Sequence, residues 1–420
     1  MTNEIDPDAS RDSSCCNDFR VTRRKLLAGF AAGAGGLAAS SLIGRAARQV
    51  AYAAALGGNV LVVISLRGGA DGLSMIVPHT NADYYRLRPN TAVPSGQLVW
   101  RDGTFGLHPS LAPLLPMWRA GTFGAVHAVG LAAPNRSHFE AIEIVEDADL
   151  GSGARTGWLN RMIGLDAFEG QVEGVHFGSP LISTALVGDS PAIGLTELSN
   201  LQLPVYDDAT ATREGWRNLW AGSRGEFGDN VRLALQTAKS MRSLAGATVD
   251  VSRYPAGPLS AVLANTALLI RSNVGAKVVT VDYGDWDMHS GMGSASNGWM
   301  KDHLYHLAQS LRVFFDDLGT TWGTKVTVVT ISEFGRRVAE NGNGGVDHGY
   351  GNCMLLLGGG VRGGRVHGEW PGLSELTEGD LRVRQDYRSV LAEVISRRFP
   401  GTNISAVFPG FRPAPIGAMA

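Results

Sequence analysis

Short apolar runs rich in β-branched residues alternate with helical patterns along most of this chain, and this alternation limits the folds open to it. The apolar runs span residues 59–66, 123–129, 277–282, 325–331 and 353–357. The helical patterns span residues 110–119, 138–150, 259–272, 303–318 and 385–398. Continuous apolar runs of this kind are typical of strands that are buried on both faces. The alternation therefore predicts an α/β fold in which helices cover both faces of a parallel sheet.

The N-terminal segment has the parts of a twin-arginine export signal. Arg23 and Arg24 lie in a basic stretch, and an apolar region rich in glycine and alanine follows. Residues 51–53 read Ala-Tyr-Ala, which suits a cleavage site. A membrane anchor is the alternative, but residues 26–43 are near the lower length limit for a span and are only weakly apolar. We predict a signal peptide at residues 1–53, export of the folded protein by the twin-arginine translocase to the periplasm or medium, and no stable membrane insertion.

Residues 54–420 would form the mature protein, and this length suits one large α/β domain or two smaller ones. They contain no internal repeat and no low-complexity linker, so we predict a single domain. Residues 171–249 are polar and less regular, and they could form an irregular insertion or a loop-rich edge. The whole chain has a formal net charge of −2 and no basic stripe, so nucleic acid is not expected as a partner.

Aspartate and histidine side chains follow the ends of two of the apolar runs. Asp287 and His289 follow the third run, and Asp347 and His348 follow the fourth. Carboxylate and imidazole groups are ligands for divalent cations, and ligand sites in α/β sheets lie beyond the carboxyl ends of the strands. Capping and turn formation explain such residues equally well on spacing alone. With that alternative open, the pattern predicts a metal site at the rim of the sheet.

A glycine-rich loop that contains Asp71 follows the first apolar run. The loop lacks the Gly-Lys-Ser/Thr sequence of a phosphate loop and the G-x-G-x-x-G pattern of a dinucleotide site. Asp71 is therefore either a turn residue or a third carboxylate ligand, and the sequence leaves both open.

Ser137 lies at the start of a predicted helix. One interpretation makes Ser137 the N-cap residue, with Glu140 as its capping-box partner. The other makes Ser137 a hydroxyl nucleophile, because a helix N-terminus favours an anionic substrate and a developing alkoxide. In that case Arg136 could bind an oxyanion of the substrate.

Glu333 and Arg336 directly follow the fourth apolar run. Glu333 could hold a metal or position a base, and Arg336 could bind an oxyanion. The alternative, which we favour slightly, is an ion pair between the two side chains that fixes the loop.

Six motifs give this chain a resemblance to a large bacterial family of twin-arginine-exported proteins. That family contains a domain of unknown function and is related to the alkaline phosphatase and sulfatase superfamily. Besides the export signal, the motifs that carry the resemblance lie at residues 66–73, 135–140, 286–289, 332–336, 347–349 and 368–373. The resemblance covers nearly the whole mature chain. It implies an alkaline-phosphatase-like, three-layer α/β/α sandwich with a mostly parallel sheet.

The resemblance also implies a hydrolase with two metal ions and Ser137 as its nucleophile. The implied ligands are Asp71, Asp347 and His348 for one cation and Asp287 and His289 for the other. Histidine is a natural zinc ligand, whereas the carboxylates would also suit magnesium, manganese or calcium. Asp285 competes with Asp287, because it would restore the longer Asp-to-His spacing of alkaline phosphatases. His367 is the one histidine after His348, and we expect it in an edge loop.

Two classes of function follow from these observations. The first is an exported metal-dependent hydrolase of phosphate or sulfate esters. The second is a non-catalytic periplasmic binding or envelope-assembly protein with the same fold, so the sequence leaves open whether the chain is an enzyme. A serine esterase of the α/β-hydrolase kind is a poorer match, because no G-x-S-x-G motif occurs.

Overall fold

A computed structural model describes residues 58–149, 155–163, 173–200, scattered residues between 214 and 244, and residues 247–420. The predicted export signal and its cleavage site lie outside the described residues. The described residues fall within one compact unit, Ala54–Ala420. Within this described part, no helix combines the length and the apolar character that crossing a membrane requires.

The strands form one large sheet and one small sheet. In chain order they are β1 Val60–Leu66, β2 Ile76–Val77, β3 Trp100–Arg101, β4 Gly106–Leu107, β5 Phe123–Gly130, β6 Gly174–Phe177, β7 Ala192–Leu195, β8 Val278–Tyr283, β9 Val326–Ile331, β10 Asn352–Gly358, β11 Val366–His367 and β12 Gln385–Asp386. The large sheet has the order β11-β5-β10-β9-β1-β8-β6-β7, with β12 also paired to β5. Strands β2, β4 and β3 form the small antiparallel sheet.

Strand β1 lies at the centre of the large sheet, parallel to β8 on one side and to β9 on the other. Leu66 pairs with Tyr283 and Ser65 pairs with Ile331, so the three strands end almost level. The loops that follow β1, β8 and β9 therefore leave the sheet at one edge. That edge is where an α/β sheet is expected to bind ligands.

Helices cover both faces of this sheet. They are α1 Gly72–Met75, α2 Ala82–Leu87, α3 Leu115–Arg119, α4 His138–Asp147, α5 Trp158–Ile163, α6 Pro258–Arg271, α7 Trp299–Gly323, α8 Tyr387–Arg398 and α9 Ile404–Val407. Val62 and Ile64 of β1 share one apolar cluster with residues of α6 and α7. Leu61 and Val63 share another cluster with residues of α4, α5 and α8. Because side chains alternate across a strand, these clusters lie on opposite faces, which confirms the predicted three-layer α/β/α arrangement.

The sheet differs from the predicted one in the direction of β10. This strand, predicted at 353–357, runs antiparallel to both β5 and β9, which are therefore parallel to each other. A parallel connection needs a crossover that is usually helical, whereas β9 and β10 are joined by a glycine-rich loop without a helix. The sheet is thus mixed and mostly parallel.

Two other segments differ from their predicted structure. Residues 110–119 do not form one helix, because the segment is a 3-10 turn, Pro109–Leu114, followed by the short α3. Pro113 and Pro116 lack backbone N–H groups, which explains the tighter geometry and the break. The start of the predicted irregular region 171–249 supplies β6 and β7, two parallel strands of the large sheet.

Candidate metal centre

Three segments that follow parallel strands bring histidine and aspartate side chains together. His138 is the first residue of α4, in the segment after β5. Asp287 follows β8, and His348 lies in the loop between β9 and β10. The ligand atoms of these three residues all lie within 4.8 Å of one another. The carboxyl edge of the sheet thus carries a group of side chains suited to a metal ion.

The closest atoms in this group are ring nitrogens and carboxylate oxygens. His138 Nε2 lies 2.9 Å from His348 Nε2. Asp287 places Oδ1 at 3.2 Å from His348 Nε2 and Oδ2 at 3.6 Å from His138 Nε2. His289 is a fourth member, since its Nε2 lies 3.0 Å from both His348 Nε2 and Asp287 Oδ1.

The δ nitrogen of each of these histidines faces an oxygen that carries no proton. The pairs are His138 Nδ1 with Glu333 Oε1 (2.7 Å), His289 Nδ1 with Asp347 Oδ1 (2.8 Å) and His348 Nδ1 with the Arg136 carbonyl oxygen (2.9 Å). Carboxylate and carbonyl oxygens only accept hydrogen bonds, so each Nδ1 is assigned as the donor. In a neutral imidazole, Nε2 then carries a lone pair.

With the three rings in their neutral form, the consequence is a set of electron-rich atoms without a proton between them. Three Nε2 lone pairs and the Asp287 carboxylate point toward one another at the distances given above. A cation at their centre would turn this repulsion into coordination. Metal-binding histidines almost always donate their other ring N–H to a carboxylate or a backbone carbonyl, which is the arrangement found at all three rings.

The ionisation of Asp287 and His348 suits this arrangement. Burial opposes ionisation of Asp287, but the hydrogen bond and positive charge of Arg336 outweigh it and hold the pKa of Asp287 below its usual value. Burial lowers the pKa of His348, and the charge of Arg336 acts in the same direction. Hydrogen bonds from Asn341 and His289 lower the pKa of Asp347. The histidine is therefore favoured in its neutral form and both carboxyl groups in their charged form.

Arg336 is buried and positions Asp287. Its Nη2 donates to Asp287 Oδ1 at 2.6 Å, and the side chain also bonds the backbone carbonyls of Gly68, Gly69, Trp286 and Val346. With its donors used in this way, the guanidinium is not directed at a ligand. The predicted oxyanion contact of Arg336 is replaced by a role inside the protein.

Glu333 is buried and contacts His138 on the side of the ring that faces away from the cluster, which comprises His138, His289, His348 and Asp287. Besides His138 Nδ1, it accepts a hydrogen bond from the Gly68 N–H at 2.8 Å and from the Ser332 hydroxyl at 3.1 Å. The predicted ion pair between Glu333 and Arg336 is not what the structure shows, because each contacts a different member of the cluster. The contact to His138 leaves Glu333 as a support for that ring.

Ser137 occupies the N-cap position of α4, as one of the two interpretations predicted. In the described structure, however, its side chain makes no capping hydrogen bond. The residue is exposed, and its N–H donates to Asn135 Oδ1 at 2.9 Å. The hydroxyl is therefore available at a helix N-terminus, directly before His138.

The Arg136 side chain is paired with protein carboxylates and is not directed at an oxyanion of a substrate. It donates to Asp380 Oδ2 at 2.5 Å and also pairs with Glu378 at 2.9 Å. Its carbonyl oxygen, in contrast, belongs to the centre because it accepts from His348. The part of Arg136 that contacts the cluster is therefore its backbone, and the predicted oxyanion contact of its side chain stays a prediction.

Asp71 does not belong to the cluster. Its two carboxylate oxygens accept hydrogen bonds from Arg88, at 2.5 and 2.9 Å, and Oδ2 also caps α1 through the Ser74 N–H at 3.1 Å. Asp71 is 3% exposed and Arg88 is 0% exposed. Burial opposes ionisation of Asp71, but the Arg88 charge outweighs it and lowers the pKa of Asp71. The structure thus places Asp71 as the turn and capping residue of one of the two interpretations.

The structure also gives the positions of Asp285 and His367. Asp285 is exposed and has a left-handed backbone (φ 64°), whereas Asp287 lies in the cluster. His367 donates to the Arg362 carbonyl at 2.6 Å and lies at the sheet edge, on strand β11 and not in the expected loop. His138 was not predicted. The available signal was its place after a strand, which it shares with the other members of the cluster.

The sequence of this chain matches one known family. A family model described as "Protein of unknown function (DUF1501)" matches residues 117–386, which is more than half of the chain. All the members of the cluster lie within the matched residues. No curated protein matches the chain.

Solved structures show only a distant likeness to this chain, as three examples illustrate. The C-terminal periplasmic domain of EcEptC from Escherichia coli, in complex with Zn, has a TM-score of 0.36 at 10% identity, over 85% of this chain and 88% of that one. A protein in the alkaline phosphatase superfamily from Vibrio parahaemolyticus has 0.34 at 9%, over 81% and 66%. The lipoteichoic acid synthase LtaP from Listeria monocytogenes has 0.32 at 9%, over 76% and 68%. At such scores these likenesses carry no argument about the site.

Proposed function

This chain belongs to the DUF1501 family of proteins of unknown function. We propose that it is an exported metal-dependent hydrolase of phosphate or sulfate esters. The observation that carries the proposal is the convergence of His138, His289 and His348 through Nε2, with every Nδ1 occupied by an acceptor. Export rests on the twin-arginine motif, and the twin-arginine translocase would be its partner in transport.

Zinc is the cation that this set of ligands suits best. Magnesium and calcium prefer sites built from oxygen atoms, whereas zinc is commonly held by several imidazoles and a carboxylate. His138, Asp287 and His348 would hold the ion, with His289 as the fourth ligand. Asp347 and Glu333 would orient two of the rings from outside. This assignment gives one cation four ligands. Asp347, which was predicted as a ligand, would instead orient the His289 ring.

Ser137 is the group that would react with the ester. Its hydroxyl is exposed at the N-terminus of α4, next to His138, where the helix dipole favours negative charge. The serine oxygen would bond to phosphorus or sulfur while the alcohol leaves with the proton that the serine loses, and water would then release the group and restore the serine. The bound cation would supply stabilisation of the anionic oxygens of the ester.

One observation favours the second candidate, a non-catalytic envelope protein that binds a ligand at the same rim. Arg136 and Arg336, which contact His348 and Asp287 of the cluster, are both bound to carboxylates. An ester hydrolase often uses a guanidinium to grip the oxyanion. Without one, the cation would have to provide that grip alone. Turnover of a substrate separates the two candidates.

We expect the native protein, purified without chelator after growth with added zinc, manganese and calcium, to carry bound divalent metal. His348→Ala should weaken zinc binding by more than ~100-fold, beyond the range of outer-shell changes, because it removes the ring that contacts both other histidines. Elemental analysis and competition with a chromophoric chelator measure both quantities. His367→Ala is the matched control and should bind zinc like the wild type. A wild-type protein that is as free of metal as His348→Ala would end the proposal.

Glu333→Gln tests whether the Glu333 carboxylate orients the His138 ring. The change keeps the size of the side chain but removes the charge that favours the Nδ1–H form of the ring, so we expect zinc affinity to fall ~10–100-fold. Glu369→Gln, at an exposed carboxylate that pairs with Arg384, should leave the affinity unchanged. Equal affinities in the two variants would show that His138 needs no orienting carboxylate.

A further inference from the structure

Arg136 connects a buried carboxylate to the metal centre. Its side chain donates twice to Asp380 Oδ2, from Nη2 at 2.5 Å and from Nε at 3.1 Å. Its carbonyl oxygen accepts from His348 Nδ1 at 2.9 Å. One residue therefore joins Asp380, which contacts no member of the cluster, to the ring that contacts all of them.

Asp380 is buried in a hydrogen-bonded turn. Its side chain is 0% exposed, and its backbone forms two hydrogen bonds with Thr377, each at 2.9 Å. The same turn is bridged to Arg337, and the neighbouring Leu381 carbonyl accepts from the Gly351 N–H at 3.0 Å. Arg337 and Gly351 lie on the two sides of His348 in the chain. The carboxylate is thus fixed relative to the loop that carries this histidine.

The segment that carries Arg136 has few other constraints. The Tyr350 hydroxyl donates to the Leu131 carbonyl at 2.8 Å, which holds the beginning of the segment. Residues 132–134 are exposed, and α4 begins at His138. Between these two ends, the Arg136 side chain is held by the buried Asp380 and by Glu378, whose carboxylate is exposed.

We propose that Asp380 is a positioning residue of the metal centre, which holds Arg136 so that its carbonyl fixes the orientation of the His348 ring. The proposal rests on the cation site proposed above. An acceptor at Nδ1 keeps the proton on that nitrogen and leaves Nε2 free as a ligand. If the acceptor moves, the ring can turn away from the cluster, and metal affinity falls although every ligand is still present.

The test is the zinc affinity of the full-length protein, measured by chelator competition for Asp380→Asn, Arg136→Ala and the double variant. We expect each single change to weaken binding about tenfold, at the lower end of outer-shell effects, because it acts through the Arg136 carbonyl. Arg136→Ala retains a carbonyl, so its effect would come from the lost side-chain contact. The zinc affinity of the double variant should be no lower than that of the weaker-binding single variant, because both changes break the same connection.

Glu378→Gln is the matched control, because Glu378 pairs with the same guanidinium but its side chain is 65% exposed. We expect its zinc affinity to stay within about twofold of the wild type. If Asp380→Asn does not fold, Arg136→Ala alone decides, because its side chain is more exposed. Unchanged zinc binding in Arg136→Ala, or additive losses in the double variant, would overturn the role of Asp380 while the metal centre stands. A wild-type protein without zinc affinity would overturn both.

Discussion

Ser137→Ala is expected to reduce ester hydrolysis by at least ~10³-fold while the bound metal remains in place. The hydroxyl is exposed at the N-terminus of α4, and no capping bond occupies it in the described structure. Its loss leaves the histidine and aspartate ligands intact. The measurement is the initial rate with aryl phosphate, phosphodiester and aryl sulfate substrates, together with the metal content of the same samples.

The control for this variant is Ser374→Ala, at an exposed serine in a loop apart from the cluster. It should hydrolyse the same substrate at the wild-type rate. If Ser137→Ala keeps its metal and most of its activity, the attacking group is water and Ser137 is only a helix residue. If the wild type carries zinc but turns over none of these esters, the binding candidate becomes the better one.

The parts of this fold that could be predicted are those determined by local sequence. Strands β1, β5, β8 and β9 are continuous apolar runs because both of their faces are covered, and such runs stand out from the surrounding sequence. The direction of β10 could not be predicted, because direction depends on the connection and not on composition. Strands β11 and β12 have two residues each, which is too short for any period to show.

The candidate site was predictable in part for the same reason. Asp287, His289 and His348 could be identified because they follow strands, and strand ends of an α/β sheet meet at one edge. What the sequence could not show is which atom each side chain presents to its neighbours. Asp347 and Asp287 look equivalent in the sequence. In the structure, Asp347 contacts Nδ1 of His289, whereas Asp287 contacts Nε2 of His289 and Nε2 of His348.

Partners that are distant in the chain account for the remaining differences. Glu333 and Arg336 are close in sequence, which favoured an ion pair between them. In the fold, Glu333 reaches His138 and Arg336 reaches Asp287, across sequence separations of 195 and 49 residues. Local sequence contains no information about such pairings. They determine whether a charged side chain acts on a ligand or on a neighbouring protein group.

Asp71→Ala is expected to lower the free energy of unfolding by ~3–5 kcal/mol and to leave zinc affinity unchanged. The substitution removes the partner of Arg88, a fully buried cation that would then lack a counter-charge. Arg88 also donates to the Val338 carbonyl at 2.8 Å, so some of its hydrogen bonds remain. Denaturant unfolding gives the free energy, and chelator competition gives the affinity.

Asp83→Ala is the matched control, since Asp83 pairs with Arg86 on the surface and such pairs contribute only ~0–1 kcal/mol. The comparison separates the two interpretations of Asp71 that the sequence left open. A loss of zinc from folded Asp71→Ala that matches the loss in His348→Ala would make Asp71 a ligand and require a different arrangement of the loop that follows β1. A large loss of stability with full zinc binding would establish Asp71 as the buried counter-ion of Arg88.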